Sequence, residues 1–243
     1  KTFILQSVQI GKGLRKAFSS PHIIITASPL VAIGFELLTG GKDFGELLDF
    51  LNRLVMSLAA LSGFALDDMT RDEGWRFLMI GRRLERLQFL SSSLAAFLRS
   101  DAVFDQAGLE WLLELGNSSI TYRSRYLAVA QLIPVLDLLL LDEQNPHAVL
   151  FQLKLVARTL KRLNDDFAAP RETALPDLVA RLSRFDLRCL ENPLFGEASL
   201  RAALDGLADL LQEVADASGQ VSDRLALRHF AHVDDVSQRT VSV

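Results

Sequence analysis

One cysteine, Cys189, among 243 residues leaves no intrachain disulfide to form. That usage fits a reducing, cytoplasmic compartment. Alternation of Val, Ile and Thr is scarce, so no sheet is expected. No apolar run reaches the ~18 residues that a membrane span needs. The nearest, Leu54 to Leu66, contains Ser57, Ser62 and Gly63, and Leu132 to Leu141 contains Pro134 and Asp137. No signal peptide is visible. The chain starts at Lys1 without Met, as a domain excerpt or processed piece would. An excess of basic charge is missing too. Lys and Arg number 26 against 30 Asp and Glu, a net charge of −4, which argues against nucleic acid or an anionic membrane surface as partner.

Familiar chemical motifs are also absent. There is no Glu-x-x-His for a bundle metal site, and no serine elbow, Walker loop or dinucleotide fingerprint. No cofactor and no metal are therefore expected. The GKG at Gly11–Gly13 lacks phosphate-loop spacing. His229 and His232 are three apart, but near a polar end. Asn117-Ser-Ser119 matches a glycosylation acceptor in a chain with no other sign of secretion. Cys189, between Arg188 and Leu190, reads as a core or boundary cysteine rather than a nucleophile.

What remains is Leu, Ala, Arg, Asp and Glu at helical spacing. The chain is 49% hydrophobic, enough for a substantial core. The fold class expected is all-α, a single bundle of about eight to nine mostly antiparallel helices. Three parts are expected: residues 1-42 as an N-terminal segment packed on the bundle, 43-230 as the bundle, and 231-243 as a flexible tail. HIIITA at His22–Ala27 is the one strand-like run, and it has no partner. Asp43 to Leu66 carries Phe44, Leu47, Leu48, Leu51, Leu54, Val55, Leu58 and Leu61 at i, i+3, i+4. Asn145 is a good N-cap and Pro146 a good first helical residue. The last helix, about Glu197 to His229, has Leu200, Leu204, Leu207, Leu211, Val214, Ser218, Val221 and Leu225 as a heptad-like seam.

The chain is organised around Met69 to Leu98, MTRDEGWRFLMIGRRLERLQFLSSSLAAFL. Thr70 and Glu73 have capping-box spacing, and Asp72 adds negative charge at the positive helix end. At about 100° per residue, its apolar residues leave no wide polar face, as in a buried helix. Arg76, Arg82, Arg83, Glu85 and Arg86 sit among them. Two readings stay open. One is a network of buried ion pairs tying helices together. The other is an arginine-lined pocket for a carboxylate or phosphate.

Thr121-Tyr-Arg-Ser-Arg-Tyr126 holds the only two tyrosines, Tyr122 and Tyr126, on one helical face. Arg123 and Arg125 flank them. This is either a packed edge with hydroxyls satisfied by backbone, or a second wall of the same pocket. Asp137 interrupts an apolar run, so it is expected to face a cation, with the arginines as natural candidates. A metal held with Asp142 and Glu143 is the lesser alternative.

MTRDEGWRFLMIGRRLERL, NSSITYRSRYL and QLIPVLDLLLLDEQNPHAVLFQL, in that order, resemble the motifs of the bacterial alpha-E domain. The resemblance runs from about Leu54 to Leu163, and more loosely to the final helix; HIIITASPLVAIGF has no counterpart in it. It implies an all-helical domain with recurring Glu and Arg positions. Those are Arg71, Trp75, Arg76, Gly81, Arg82, Glu85 and Arg86, then Thr121, Tyr122, Arg123 and Tyr126. Gln131, Asp137, Asp142, Asn145, Pro146 and Gln152 follow in the third motif. Members occur beside or fused to circularly permuted ATP-grasp ligases and near transglutaminase-like proteases, which implies a peptide- or amide-bond modification system.

The expected function is a non-catalytic helical partner of such a carboxylate–amine ligase. Arg76, Arg82, Arg83, Glu85, Arg86, Tyr122, Arg123, Tyr126 and Asp137 would bind a carboxylate-bearing peptide, a small carboxylate or the partner itself. One alternative is an enzyme with Glu85 as general acid/base, tuned by burial and flanking arginines. The other is a purely structural bundle.

Overall fold

The computed structural model describes residues 44–127, 129–166, 174–191 and 197–229. HIIITA, the rest of the expected N-terminal segment 1-42 and the expected tail from 231 lie outside them. Among the described residues every regular element is helical, so the all-α expectation holds. In chain order these are α1 (Phe44–Asp67), α2 (Glu73–Leu98), α3 (Gln106–Leu115) and α4 (Ser119–Tyr126). They continue with α5 (Leu132–Leu136), α6 (Val149–Asp166), α7 (Ala174–Ser183) and α8 (Glu197–His229). Tight 3-10 turns lie at Asp101–Phe104 and Leu187–Glu191. Asp137–Leu141 is a π-helical turn that directly continues α5.

The chain divides into two compact units, residues 1–78 with 228–243, and residues 79–227. In the first, Arg71 donates to the Leu66 carbonyl at the end of α1 and lies 4.4 Å over the Trp75 ring. Phe77 and His229 pack with ring centroids 4.7 Å apart. Asp72, not Thr70, caps α2. Its Oδ1 accepts the Trp75 N–H at 3.0 Å, and the helix starts one residue later at Glu73. A carboxylate serves free N–H groups at the positive helix end better than a hydroxyl does.

The second unit holds the core. Its center is the buried row Ile80, Leu84, Leu87, Leu94 and Leu98 of α2. Also buried are Val149, Leu153, Val156, Leu160 and Leu163 of α6, at helical spacing, and the α8 seam from Leu204 to Val221. The expectation that α2 is buried all round fails. Glu85, Arg86 and Gln88 are exposed, and Phe89 is 50% exposed. At Gly116, between α3 and α4, packing is tight: a Cβ there would stand 2.7 Å from Leu139 Cδ2, and that buried side chain would have to shift. No described helix is long and apolar enough to cross a membrane.

Candidate functional site

Three polar groups occupy the second unit. The first lies where α4 meets the π turn. The Asp142 N–H donates to the Asp137 carbonyl, five residues back, at 3.0 Å. On an α-helix these two residues would point about 140° apart, at 100° per residue; the wider turn lets both reach the end of α4. Arg125 pairs with Asp142, and the Tyr126 hydroxyl lies 3.4 Å from Asp137 Oδ2. Burial and then the nearby Asp137 charge raise the Tyr126 hydroxyl above the usual tyrosine value. For Asp142, burial raises the carboxyl. The Gln144 N–H and the Arg125 guanidinium outweigh that, holding it below the usual range. Asp137 was expected to face a cation, but its described neighbor is the Tyr126 hydroxyl. The cation went to Asp142, which stands opposite Arg125.

Tyr122 belongs to the fold. It is 2% exposed, and its ring packs tilted against that of Tyr126, centroids 4.9 Å apart. Its hydroxyl donates to the Val129 carbonyl at 3.1 Å and accepts the Gln131 N–H at 3.1 Å. Of the two readings, the packed edge describes Tyr122. Glu143 is drawn off to Lys154 at 2.6 Å. Among the described residues no group of three or more His, Cys, Asp or Glu is placed to hold a metal.

The second group is a buried amide network. Asn145 was expected to cap α6, but that helix begins at Val149. Asn145 Oδ1 accepts the His147 N–H at 3.0 Å, closing a turn ahead of the helix. Pro146 has no N–H to continue such bonding, so the turn precedes the helix. Asn145 Nδ2 donates to the Leu138 carbonyl at 2.9 Å and to Ser118 Oγ at 3.2 Å. Ser118 Oγ in turn donates to the Gly116 carbonyl at 3.0 Å. Gln152 Nε2 donates to the Pro146 carbonyl. These bonds tie the three sequence motifs' second and third members together.

The third group is the arginine turn of α2. Arg82 and Arg83 are half-buried and Arg86 is exposed. Burial first, and Arg86 next, push both Arg82 and Arg83 below the usual arginine value; Arg82 adds to the effect on Arg83. Arg83 and Arg86 make no ion pair among the described residues. Glu85, beside them in sequence, makes none either; burial raises its carboxyl. Among the described residues, Glu85 therefore forms no ion pair with the arginines of this turn. Adjacent residues on a helix point about 100° apart, so Glu85 turns away from Arg86. Arg76, also exposed, belongs to the first unit.

His147 is the residue that sequence reasoning passed over. Burial and then Arg86 lower its imidazole below the usual histidine value, and Asn117 Nδ2 lies 3.5 Å from its Nε2. His147 joins the second and third groups through its N–H bond to Asn145. Its signal was its place directly after Asn145-Pro146, at the turn that leads into α6. Arg82, Arg83 and Arg86 thus put three like charges on one turn, two of them half-buried, and guanidinium forks are groups that can bind carboxylates and phosphates bidentately.

A family model described as a predicted alpha-helical domain with a conserved ER motif matches residues 7–230. The chain belongs to the Alpha-E family. The match begins well ahead of residue 54, where the motif resemblance starts. Glu85-Arg86 is the one Glu-Arg dipeptide in the Alpha-E chain, and it lies within the arginine turn. An uncharacterized protein of Mycobacterium bovis is 32% identical over 164 residues, 65% of this chain and 19% of that protein. Uncharacterized proteins of Mycobacterium tuberculosis strains CDC 1551 and H37Rv match with the same identity and coverage. The matched stretch is thus about a fifth of these curated relatives' length. No solved structure matches the chain.

Proposed function

We propose that this Alpha-E domain is a non-catalytic helical partner of an ATP-grasp-type carboxylate–amine ligase in a peptide- or amide-bond modification system. Arg82, Arg83 and Arg86 hold a carboxylate-bearing ligand, a peptide or a small acid, for that ligase. The observation that carries this reading is the arginine turn, where Arg83 and Arg86 have no described carboxylate against them. A bound carboxylate would relieve the repulsion among the three. A cytoplasmic setting is part of the proposal, since the ligase consumes ATP and Cys189 is a free thiol.

The test has two arms. The native protein is captured from its own cell extract, and stoichiometric recovery of an ATP-grasp ligase supports the partner role. Calorimetry then compares a short peptide bearing a free C-terminal carboxylate with its amide. Binding of the acid alone, weakened at least about tenfold by Arg83→Met with Arg86→Met, supports the carboxylate role. Equal binding of acid and amide ends it.

A second reading has one observation in its favor. The raised Glu85 carboxyl is what a general acid/base requires. In that reading the domain is itself an enzyme, and Glu85→Gln abolishes turnover while leaving folding and partner binding intact.

A further inference from the structure

Helices α3 and α4 end alike, on residues with left-handed backbone. Asn117 has φ 47° and Leu127 has φ 48°. After α3, the Ser118 N–H reaches the Leu113 carbonyl at 2.8 Å and the Asn117 N–H reaches Glu114 at 2.9 Å, the Schellman pattern. After α4, the Leu127 N–H reaches the Arg123 carbonyl at 3.2 Å, the simpler left-handed cap. Asparagine tolerates this backbone and glycine takes it freely, whereas leucine's Cβ is crowded there. A leucine in such a position is ordinarily repaid by burial of its side chain. Leu127 is 90% exposed.

Its surroundings extend the pattern. Ile120 is 86% exposed and Val129 57%. Ile120, Arg123 and Ser124 stand at i, i+3 and i+4 of α4, all exposed, and Leu127 follows at i+7. Val129 is pinned at the same end of α4 by the Tyr122 hydroxyl. No Asp or Glu occurs from Leu115 to Leu136, in a chain of net charge −4. Arg125 is taken by Asp142, while Arg123 makes no ion pair among the described residues.

We propose that Ile120, Arg123, Leu127 and Val129 form a docking surface for a short acidic–apolar segment of another polypeptide. Its carboxylate pairs with Arg123, and its apolar side chains cover Ile120 and Leu127. Size and charge choose this occupant. Seven helical steps span only about 10 Å, too short a patch to supply the ~800 Å² per partner that a standard stable interface buries. A local positive charge between apolar knobs asks for a carboxylate between apolar residues. This inference does not depend on the arginine turn of α2.

The experiment pans a display library of short random peptides against the intact protein, and against Leu127→Gly and Arg123→Glu. Enriched peptides are expected to carry Asp or Glu flanked by Leu, Ile or Phe. Each substitution should weaken their Kd at least about tenfold, or 1.4 kcal/mol. Arg123→Glu should enrich basic peptides instead. Leu127→Gly should raise Tm while it removes binding, because glycine suits the backbone and lacks the knob. No enrichment, enrichment without carboxylates, or an unchanged Kd in both variants overturns the proposal. A fall in Tm for Leu127→Gly shows that Leu127 serves the fold and overturns it too. Self-association, or binding to phosphatidylserine vesicles, that the same substitutions abolish would assign the surface to a second copy or to lipid.

Discussion

Two polar groups lie in the same unit and are built on opposite terms. Around Asn145 the donors and acceptors meet within the protein, Gln152 Oε1 excepted: Asn145 with Leu138, Ser118 and His147, and beside it Arg125 with Asp142. Around Arg83 and Arg86, among the described residues, the charges face like charges and no paired carboxylate. A closed group stabilizes, because each member would be unsatisfied without the others. An open group of like charges destabilizes slightly, and in the proposed function an anion would relieve that cost. Both kinds fall inside the motifs that mark the family, so a motif residue can serve the fold or the ligand, and its partners tell which.

The largest expected effect comes from breaking the closed group. Asn145→Ala removes three hydrogen bonds and strands the buried Leu138 carbonyl. The loss should be about 3 kcal/mol in urea unfolding. Tyr122→Phe strands less, the Val129 carbonyl and the Gln131 N–H near the surface, and should cost about 1–2 kcal/mol. Asp142→Asn sharpens the same side through pH. The folded Asp142 carboxyl lies below its usual range, so its contribution is present above the unfolded pKa and is lost as pH falls through the folded one. Wild type should therefore lose stability in acid more steeply than Asp142→Asn, with a difference of about 1 kcal/mol at neutral pH, since Arg125 is partly exposed. Equal acid sensitivity would remove Asp142 from the closed group.

The open group should respond in the other direction. Arg83→Met and Arg86→Met should leave stability within about 0.5 kcal/mol of wild type or raise it, as measured in the same urea titrations. A loss comparable to that of Asn145→Ala would mean that these arginines have partners in the fold, and the contrast would fail.

Much of this was legible beforehand, and the misses share a cause. The α8 seam and the inward face of α6 follow from spacing alone, since a regular helix repeats its buried side. The pairing of Tyr122 with Tyr126 follows from the same rule. Burial around α2 did not follow, because counting apolar residues does not say which sides have neighbors; Phe89 is apolar and half exposed. Asp137 and Asp142 exchanged expectations because the π turn re-aims both, and one widened turn has no signature in five residues reading DLLLL. Asn145 was recognized as a helix-starting residue, yet which backbone N–H its oxygen accepts is decided by Pro146 and the turn beyond. Leu127's left-handed backbone is the least legible, as nothing in its residue type favors it.

The smallest effect tests Glu85, the one acid on the open turn. Its carboxyl is raised by partial desolvation, with no arginine close enough to offset the rise. A carboxyl raised in the folded state gives full stability below the unfolded pKa, and that stability is lost as pH rises through the folded value. Glu85→Gln never ionizes, so it escapes the loss. Its Tm should exceed wild type slightly at neutral pH, and the two should converge in acid. If Glu85 instead pairs with Arg82 or Arg86 in solution, the sign reverses: Glu85→Gln would be less stable at neutral pH, with convergence again in acid. The direction of that one small difference decides whether the Glu-Arg dipeptide is an internal ion pair or two groups facing different ways, and only the second leaves Arg86 free to hold a ligand.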